Sequence, residues 1–350
     1  MIRIANKFIG KEQSCFIIAE AGVNHTGDIS LAKKLIDAAV DAGVDAVKFQ
    51  TWVTEDLVTK TAPKANYQVE TTGGEGSQFE MIKKLELPFE SFKTLKKYCD
   101  DRNIIFLSTP DEEKSVDFLQ SINVPAFKLS SGELTNFRML KKIALQGKPI
   151  IISTGMSTIN QIKESIVILE KNGSKEIIIL HCNVNYPTEN KDVNLRVIQT
   201  LKEEFNYPIG FSDHTMSVEV PVASVALGAT VVEKHFTLDR NMDGPDHSSS
   251  LEPNELKNMV EMIRSVEVAL GSPEKIITES EKGNIGVMRK VIVASHDLKK
   301  GEILKSSDIA MKRAGDGLEP KFESKILGMK LIKSVSEDES VTLEMLENGI

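Results

Sequence analysis

His214 and His235 are the residues in this chain best placed to do chemistry. His214 closes the apolar run PIGFSDH (208–214), and His235 stands where TVVEKHFTL (230–238) turns from apolar to polar. The chain holds only 6 histidines, so two that close strands carry information. A lone strand-end imidazole is commonly a hydrogen-bonded core group. Two on neighbouring strand ends, with Glu20 and Asp246 available, make a nitrogen and oxygen donor set with open positions, which suits Mn2+ or Mg2+ acting as a Lewis acid. No cysteine stands at tight spacing to them, which argues against a closed zinc site. His25 in GVNHTG reads equally as a third ligand or as a turn residue, and His181 reads as structural. Asp239 and Asp243, beside Asp246, read as loop residues.

Two lysines interrupt apolar runs: Lys48 in DAVKFQT (45–51) and Lys128 in AFKLSSG (126–132). An isolated buried ammonium is costly, so each needs a carboxylate or an anionic ligand. Hydroxyls at Thr109, Ser131, Ser153 and Ser212 fall at or just beyond the ends of apolar runs, and with the lysines they suit a bound phosphate or carboxylate. Two other readings stay open. Lys128 falls where the Schiff-base lysine of an aldolase would sit, and an ion pair with Glu133 or Glu20 would satisfy a lysine without any ligand.

These residues need elements that bring them together. Apolar runs at 15–22, 45–51, 104–110, 126–132, 149–155, 176–182, 208–214 and 230–238 alternate with amphipathic stretches such as LAKKLIDAAVDAG and INQIKESIVILEKNG. Strands alternating with helices in this way predict an α/β (β/α)8 TIM barrel. A doubly wound sheet is the runner-up, and no GxGxxG turn follows the first strand to support it. Nearly every run begins apolar and ends polar, which fits a barrel with its active site at the C-terminal ends of the strands. Period two places Lys48 with Gln50, Ser212 with His214, and Glu233 with His235 on shared faces. Residues 1–14 read as a hairpin turning near Gly10, and 52–88 as a long connection without an element of its own, hence a lid or a disordered segment. The barrel domain is expected over 1–271, a polar linker over 272–287, and a small, mostly β domain over 288–350 that caps, dimerises or binds.

A formal charge of −8 argues against a nucleic-acid partner. No apolar run reaches the length of a membrane span, and MIRIANKFIGKEQ lacks a signal-peptide core. The 3 cysteines, Cys15, Cys99 and Cys182, are far apart and read as reduced thiols of a cytoplasmic protein.

The motifs IAEAGVNHTG (18–27), FKLSSGE (127–133), HCNVNYPT (181–188), GFSDHT (210–215), EKHFTLDRNMDGPDH (233–247) and MKRAGDG (311–317) make the chain resemble the sialic acid (nonulosonate) synthases along its whole length. The resemblance implies a barrel joined to an antifreeze-like SAF (β-clip) domain. It implies condensation of phosphoenolpyruvate with an N-acyl mannosamine-type sugar and release of phosphate, N-acetylmannosamine and N-acetylneuraminate being the leading pair. Diacetyllegionaminate or pseudaminate synthesis from a 6-deoxy diamino sugar is the rival, because the quoted motifs do not separate the two. By resemblance His214 and His235 hold Mn2+ (or Mg2+ or Co2+) against the sugar aldehyde, and Glu20 is the acid/base close to that ion or helps position the attacking water. Lys48, Thr109, Lys128, Ser131, Ser153 and Ser212 bind phosphoenolpyruvate. Gln50, Tyr186 and Asp246 contact the sugar, and Arg313 reaches its N-acyl group from the other subunit of a domain-swapped homodimer. The product would serve capsule or surface polysaccharide synthesis. Departures from the family pattern are Asp111 where Phe is usual, Val184 where some members carry an amide, and Ala314 where Pro is usual. A reading of the C-terminal segment as an ice- or carbohydrate-binding module is weak, because Arg313 puts a charge where an ice-binding face is flat.

Overall fold

Two short antiparallel strands, β1 (Ile2–Ile4) and β2 (Lys7–Ile9), open the chain in the computed structural model, which describes residues 1–347. Their turn lies at Ala5 and Asn6, with Ala5 at φ +52°, and not near Gly10 as the sequence leads one to expect. Pairing of Ile2 with Ile9 decides this, because it buries Ile2, Ile4 and Ile9 together and leaves only two residues for the turn.

Eight strands follow: β3 (Phe16–Gly22), β4 (Ala46–Thr51), β5 (Ile105–Pro110), β6 (Phe127–Leu129), β7 (Ile150–Ser153), β8 (Ile177–Cys182), β9 (Ile209–Asp213) and β10 (Val231–His235). They form one parallel sheet in the order β5-β4-β3-β10-β9-β8-β7-β6, and β5 lies beside β6 at the seam, so the sheet is a nearly closed barrel with helices outside. Each strand is buried on both faces, which is why the runs read as continuously apolar. The period of two shows in how their residues divide. Phe16, Ile18, Leu107, Ile151, Ile178 and Val231 pack inside the barrel with Ile2, Ile4 and Ile9 of the hairpin. Ile17, Ala19, Val47, Phe106, Ile152 and Val232 face the helices. The hairpin and this inner apolar layer therefore fill the end where the strands begin. Only the other end is left for polar groups.

The connection 52–88 is not structureless. It carries helices Thr54–Leu57, Asn66–Thr72 and Gln78–Leu85, the last capped by Ser77, whose hydroxyl accepts from the Glu80 N–H while the Glu80 carboxylate accepts from the Ser77 N–H. Such single- and double-turn helices are set by local caps and not by an apolar period, so periodicity alone misses them.

The chain divides into two compact units, Met1–Gly271 and a second from Ser272 onward. In the second unit β11 (Val291–Ala294) pairs with β12 (Ile309–Lys312) over a core that includes Ile292, Leu298, Leu304, Ile326 and Val341. Residues 272–287 group with this unit; a one-turn helix lies within them at Glu279–Lys282, and a second, Ile285–Met288, runs one residue past their end. The last three residues of the expected small domain lie outside the described residues. Among the described residues no helix is long and apolar enough to cross a membrane.

Candidate active site

The polar strand ends meet in a cavity of about 210 Å³ at the C-terminal mouth of the barrel. A larger one, about 900 Å³, opens beside Cys15, Ile209 and Thr230 where strands begin, but the strand-end charges face the smaller cavity. Register explains their convergence. Glu20 lies opposite His235 on one side and Lys48 on the other, and Ser212 lies opposite Glu233. A register shift between Glu20 and Gly22 bulges β3 at this level, and bulges re-aim side chains. Gly22, at φ +50°, accommodates it; a Cβ there would stand 3.2 Å from the Glu20 carboxylate and 3.3 Å from Gln50 Nε2.

Four buried charges alternate across one wall. Lys48 Nζ is 2.7 Å from Glu20 Oε2 and 3.8 Å from Glu233 Oε2, and Lys128 Nζ is 3.5 Å from Glu233 Oε1. Hydroxyls fill the gaps: Lys48 donates to Thr109 Oγ1 at 2.9 Å, Lys128 to Ser153 Oγ at 2.7 Å, and Ser212 to Glu233 Oε1 at 3.0 Å. Burial alone would favour the neutral forms, but Lys128 and Lys48 together hold Glu233 below the usual carboxylate range. Glu20 behaves differently. Burial pushes it up to about 7 and the Glu233 charge adds to this, against Lys48 and the Gln50 amide, which donates to Glu20 Oε1 at 3.0 Å. Burial also pushes Asp111, on the same cavity, up to about 7.

Ser131, just past β6, accepts the Gly155 N–H at 2.9 Å. Gly155 permits this contact because a Cβ there would fall 2.4 Å from Val184 Cγ2 and 2.8 Å from Ser131 Oγ. Two residues further along β9 and β10, nearer the mouth, comes a series of rings. The His214 and His235 centroids are 5.2 Å apart, and Tyr186 packs 4.1 Å from His214 and edge-on to His235 at 5.5 Å. His214 Nδ1 faces the Asn183 carbonyl, which only accepts, so Nδ1 carries a proton; burial opposes the charged ring, but Cys182 and this carbonyl together raise His214 above the usual imidazole value. His235 Nδ1 is buried without a hydrogen-bond partner, 3.8 Å from Asp246 Oδ2, and burial together with His214 holds this imidazole neutral. Among the described residues no three His, Cys, Asp or Glu side chains enclose an ion, so these two imidazoles form an open pair and not a closed cage.

Of the residues singled out from the sequence, Glu20, Lys48, Gln50, Thr109, Lys128, Ser131, Ser153, Tyr186, Ser212, His214, His235 and Asp246 all line this cavity. Arg313 follows β12 in the second unit and is exposed. His25 is elsewhere: its Nδ1 accepts the Gly27 N–H at 3.1 Å, which makes it a turn residue. His181 bonds the Val193 carbonyl, and His247 meets Thr237 Oγ1 at 2.7 Å. The sequence reading gave no role to Glu233, although the shared face with His235 was its signal. It also gave none to Cys182, which alternation turns inward next to His181, or to Tyr67, which had no signal.

The sequence matches the NeuB family over residues 35–275 and the SAF domain over residues 289–347. It is 46% identical to the N,N'-diacetyllegionaminic acid synthase of Campylobacter jejuni, covering 93% of this chain and 98% of that one. The N,N'-diacetyllegionaminic acid synthase of Legionella pneumophila is 42% identical, with 97% and 96% covered. The crystal structure of the N-acetylneuraminic acid (sialic acid) synthetase of Leptospira borgpetersenii, in complex with citrate, superposes with a TM-score of 0.73 at 34% identity, over 81% of this chain and 94% of that one.

Proposed function

Since the chain belongs to the NeuB family, we propose that it condenses phosphoenolpyruvate with the open-chain form of 2,4-diacetamido-2,4,6-trideoxymannose, giving N,N'-diacetyllegionaminate and phosphate. The observation that carries the reaction class is the two-layered cavity. One layer alternates ammonium and carboxylate groups with hydroxyls between them, and the layer beyond it along β9 and β10 presents two neighbouring imidazoles. The choice of sugar rests on the two relatives at 46% and 42% identity, both named as legionaminic acid synthases. N-acetylmannosamine is the second reading, favoured by the likeness to the Leptospira enzyme.

Phosphoenolpyruvate is a trianion at its most charged, and Lys48 and Lys128 are the cations available to it. Its phosphate and carboxylate replace Glu20 and Glu233 as their partners, with Thr109, Ser131, Ser153 and Ser212 donating hydroxyl hydrogen bonds. Donors fixed before the substrate arrives cost no reorganisation when charge shifts in the transition state. The enol carbon bonds to the sugar aldehyde carbon, water adds to the cationic centre left at C2, and the phosphate oxygen bond to that carbon breaks. The aldehyde oxygen gains a proton as it becomes a hydroxyl, and the added water loses one. Glu20, raised to about 7, is poised to give the first and take the second. The donor set fits a divalent ion, Mn2+ with Mg2+ or Co2+ as substitutes, and such an ion when bound supplies Lewis-acid polarisation of the aldehyde. Gln50, Tyr186 and Asp246 orient the sugar.

Phosphate release from phosphoenolpyruvate with Mn2+ is expected with the trideoxy sugar and to be weaker with N-acetylmannosamine. Release with neither sugar sinks the proposal, and release with N-acetylmannosamine alone moves it to neuraminate. In the same proposal Arg313 serves the site of a partner copy in a swapped homodimer. Mixing inactive Arg313→Ala and His235→Ala proteins, with subunit exchange, is then expected to restore about a quarter of wild-type activity, because half of the randomly paired dimers are mixed and one of the two sites in each is intact. No recovery after demonstrated exchange would place Arg313 in its own chain's site or in none.

A further inference from the structure

The segment 52–88 sends one side chain into the cavity, Tyr67 from helix Asn66–Thr72. Its ring stacks on Tyr186 with centroids 4.9 Å apart and planes 27° apart, and Tyr186 in turn packs on His214 and His235. Tyr67 is therefore the outermost of four rings, one ring further than Tyr186 from the imidazole pair. The segment holds it firmly. Gln68 Nε2 donates to the Tyr67 hydroxyl at 3.3 Å, and Gln68 Oε1 accepts from Ala65 N at 2.9 Å and Gln78 Nε2 at 3.1 Å. The base of the loop is closed by Gln78 N to Ala62 O at 2.9 Å and by Lys64 Nζ, which donates to the carbonyls of Gly73 and Glu75 at 2.9 and 2.8 Å.

We propose that Tyr67 is a sugar-specificity residue, facing the end of the substrate remote from the aldehyde. This rests on the function proposed above, in which the aldehyde lies at the imidazoles. A six-carbon chain anchored there runs along Tyr186, and its C4–C6 end reaches Tyr67. That is the end where the candidate sugars differ: a C6 methyl and a 4-acetamido group in one, a C6 hydroxymethyl and a 4-hydroxyl in the other. A stacked pair of rings offers an apolar surface that gains from methyl groups and gives a hydroxymethyl nothing in exchange for its water. Apolar pockets discriminate against an added hydroxyl only moderately, by about a hundredfold at most. Tyr67 accordingly sets a preference between the sugars and leaves phosphoenolpyruvate untouched.

The test is steady-state phosphate release by wild type, Tyr67→Ala, Tyr67→Leu and Tyr67→Phe with both sugars, and calorimetric titration of each sugar without phosphoenolpyruvate. Tyr67→Ala is expected to raise KM for the trideoxy sugar about 10- to 100-fold, with a smaller rise for N-acetylmannosamine and with the KM for phosphoenolpyruvate and kcat each within about threefold of wild type. Tyr67→Leu keeps the apolar packing of the loop and is expected to shift the sugar ratio in the same direction if the alanine variant does not fold. Tyr67→Phe retains the ring and is expected to behave as wild type. If wild type turns over a sugar but the alanine and leucine variants leave the ratio of the two sugars unchanged, Tyr67 is not a specificity residue and the functional reading stands. If wild type neither releases phosphate nor binds either sugar, both fall.

Discussion

Replacing His235 with alanine is expected to abolish turnover and to weaken Mn2+ binding by more than about 100-fold, since changes one shell further out already cost 10- to 100-fold. The barrel fixes this residue in three ways. It is the last residue of β10, it pairs in register with Glu20, and its neutral ring is packed against Tyr186 and His214. Its buried Nδ1 has no hydrogen-bond partner, so an unmade bond waits there for a ligand. The Asn183 carbonyl meanwhile accepts from His214 Nδ1, the kind of bond that orients a ligating imidazole. Titration of metal-free protein with Mn2+, followed by the electron-spin signal of the free ion, reads the binding directly and does not depend on activity. Full activity or unchanged binding in His235→Ala would place the ion elsewhere. EDTA is expected to inactivate the wild type. A Schiff-base aldolase working through Lys128 would survive EDTA and would be trapped by borohydride. Lys128 donates to Ser153 Oγ and to the Leu129 carbonyl at 3.1 Å, and burial lowers its pKa.

Much of this site was legible because a parallel barrel writes its two requirements into the sequence. Strands buried on both faces read as unbroken apolar runs, and the functional end of each is where the run turns polar. Lys48, Lys128, His214 and His235 could be placed on that basis before any contact was known. Pairing was legible only in part. Of the two carboxylates the sequence offers as partners for the lysines, Glu20 does take Lys48, whereas Glu133 accepts from Asn136 and Glu233, not offered, lies between both lysines. Which carboxylate reaches which lysine depends on strand order and stagger around the barrel, and neither is visible in one strand. Tyr67 was hidden for another reason. Its helix has seven residues and is held by side-chain bonds of Gln68, so it shows no period. The N-terminal hairpin was misread because a glycine is a frequent turn residue, while burial of three isoleucines set the register there.

The same strand ends carry a second buried ion pair, on the face of the sheet away from the cavity, and its removal is expected to give the largest loss of stability. Alternation along β9 puts Ser212 inward and Asp213 outward; along β10 it puts Glu233 and His235 inward and Lys234 outward. Asp213 and Lys234 are neighbours in register, their side chains are 0% and 0% exposed, and Lys234 Nζ lies 2.6 Å from Asp213 Oδ2. The pair is fully provided with partners. Lys234 also donates to the Thr215 carbonyl and hydroxyl, and Asp213 accepts the Thr215 N–H at 2.9 Å and its hydroxyl at 3.1 Å. Lys234→Met would leave the Asp213 charge buried without its cation, and breaking a buried pair from one side costs about 3–5 kcal/mol. Replacing both, as Lys234→Met with Asp213→Leu, removes the stranded charge and is expected to recover more than half of that loss, because well-packed apolar residues replace buried ion pairs at little cost. Urea unfolding of the four proteins of this cycle measures both terms. A loss under about 1 kcal/mol in Lys234→Met would mean that Asp213 reaches water when its partner is removed. A double variant no better than the single one would mean that the strand ends, and the two imidazoles next to them, depend on the Thr215 hydrogen bonds more than on the charges.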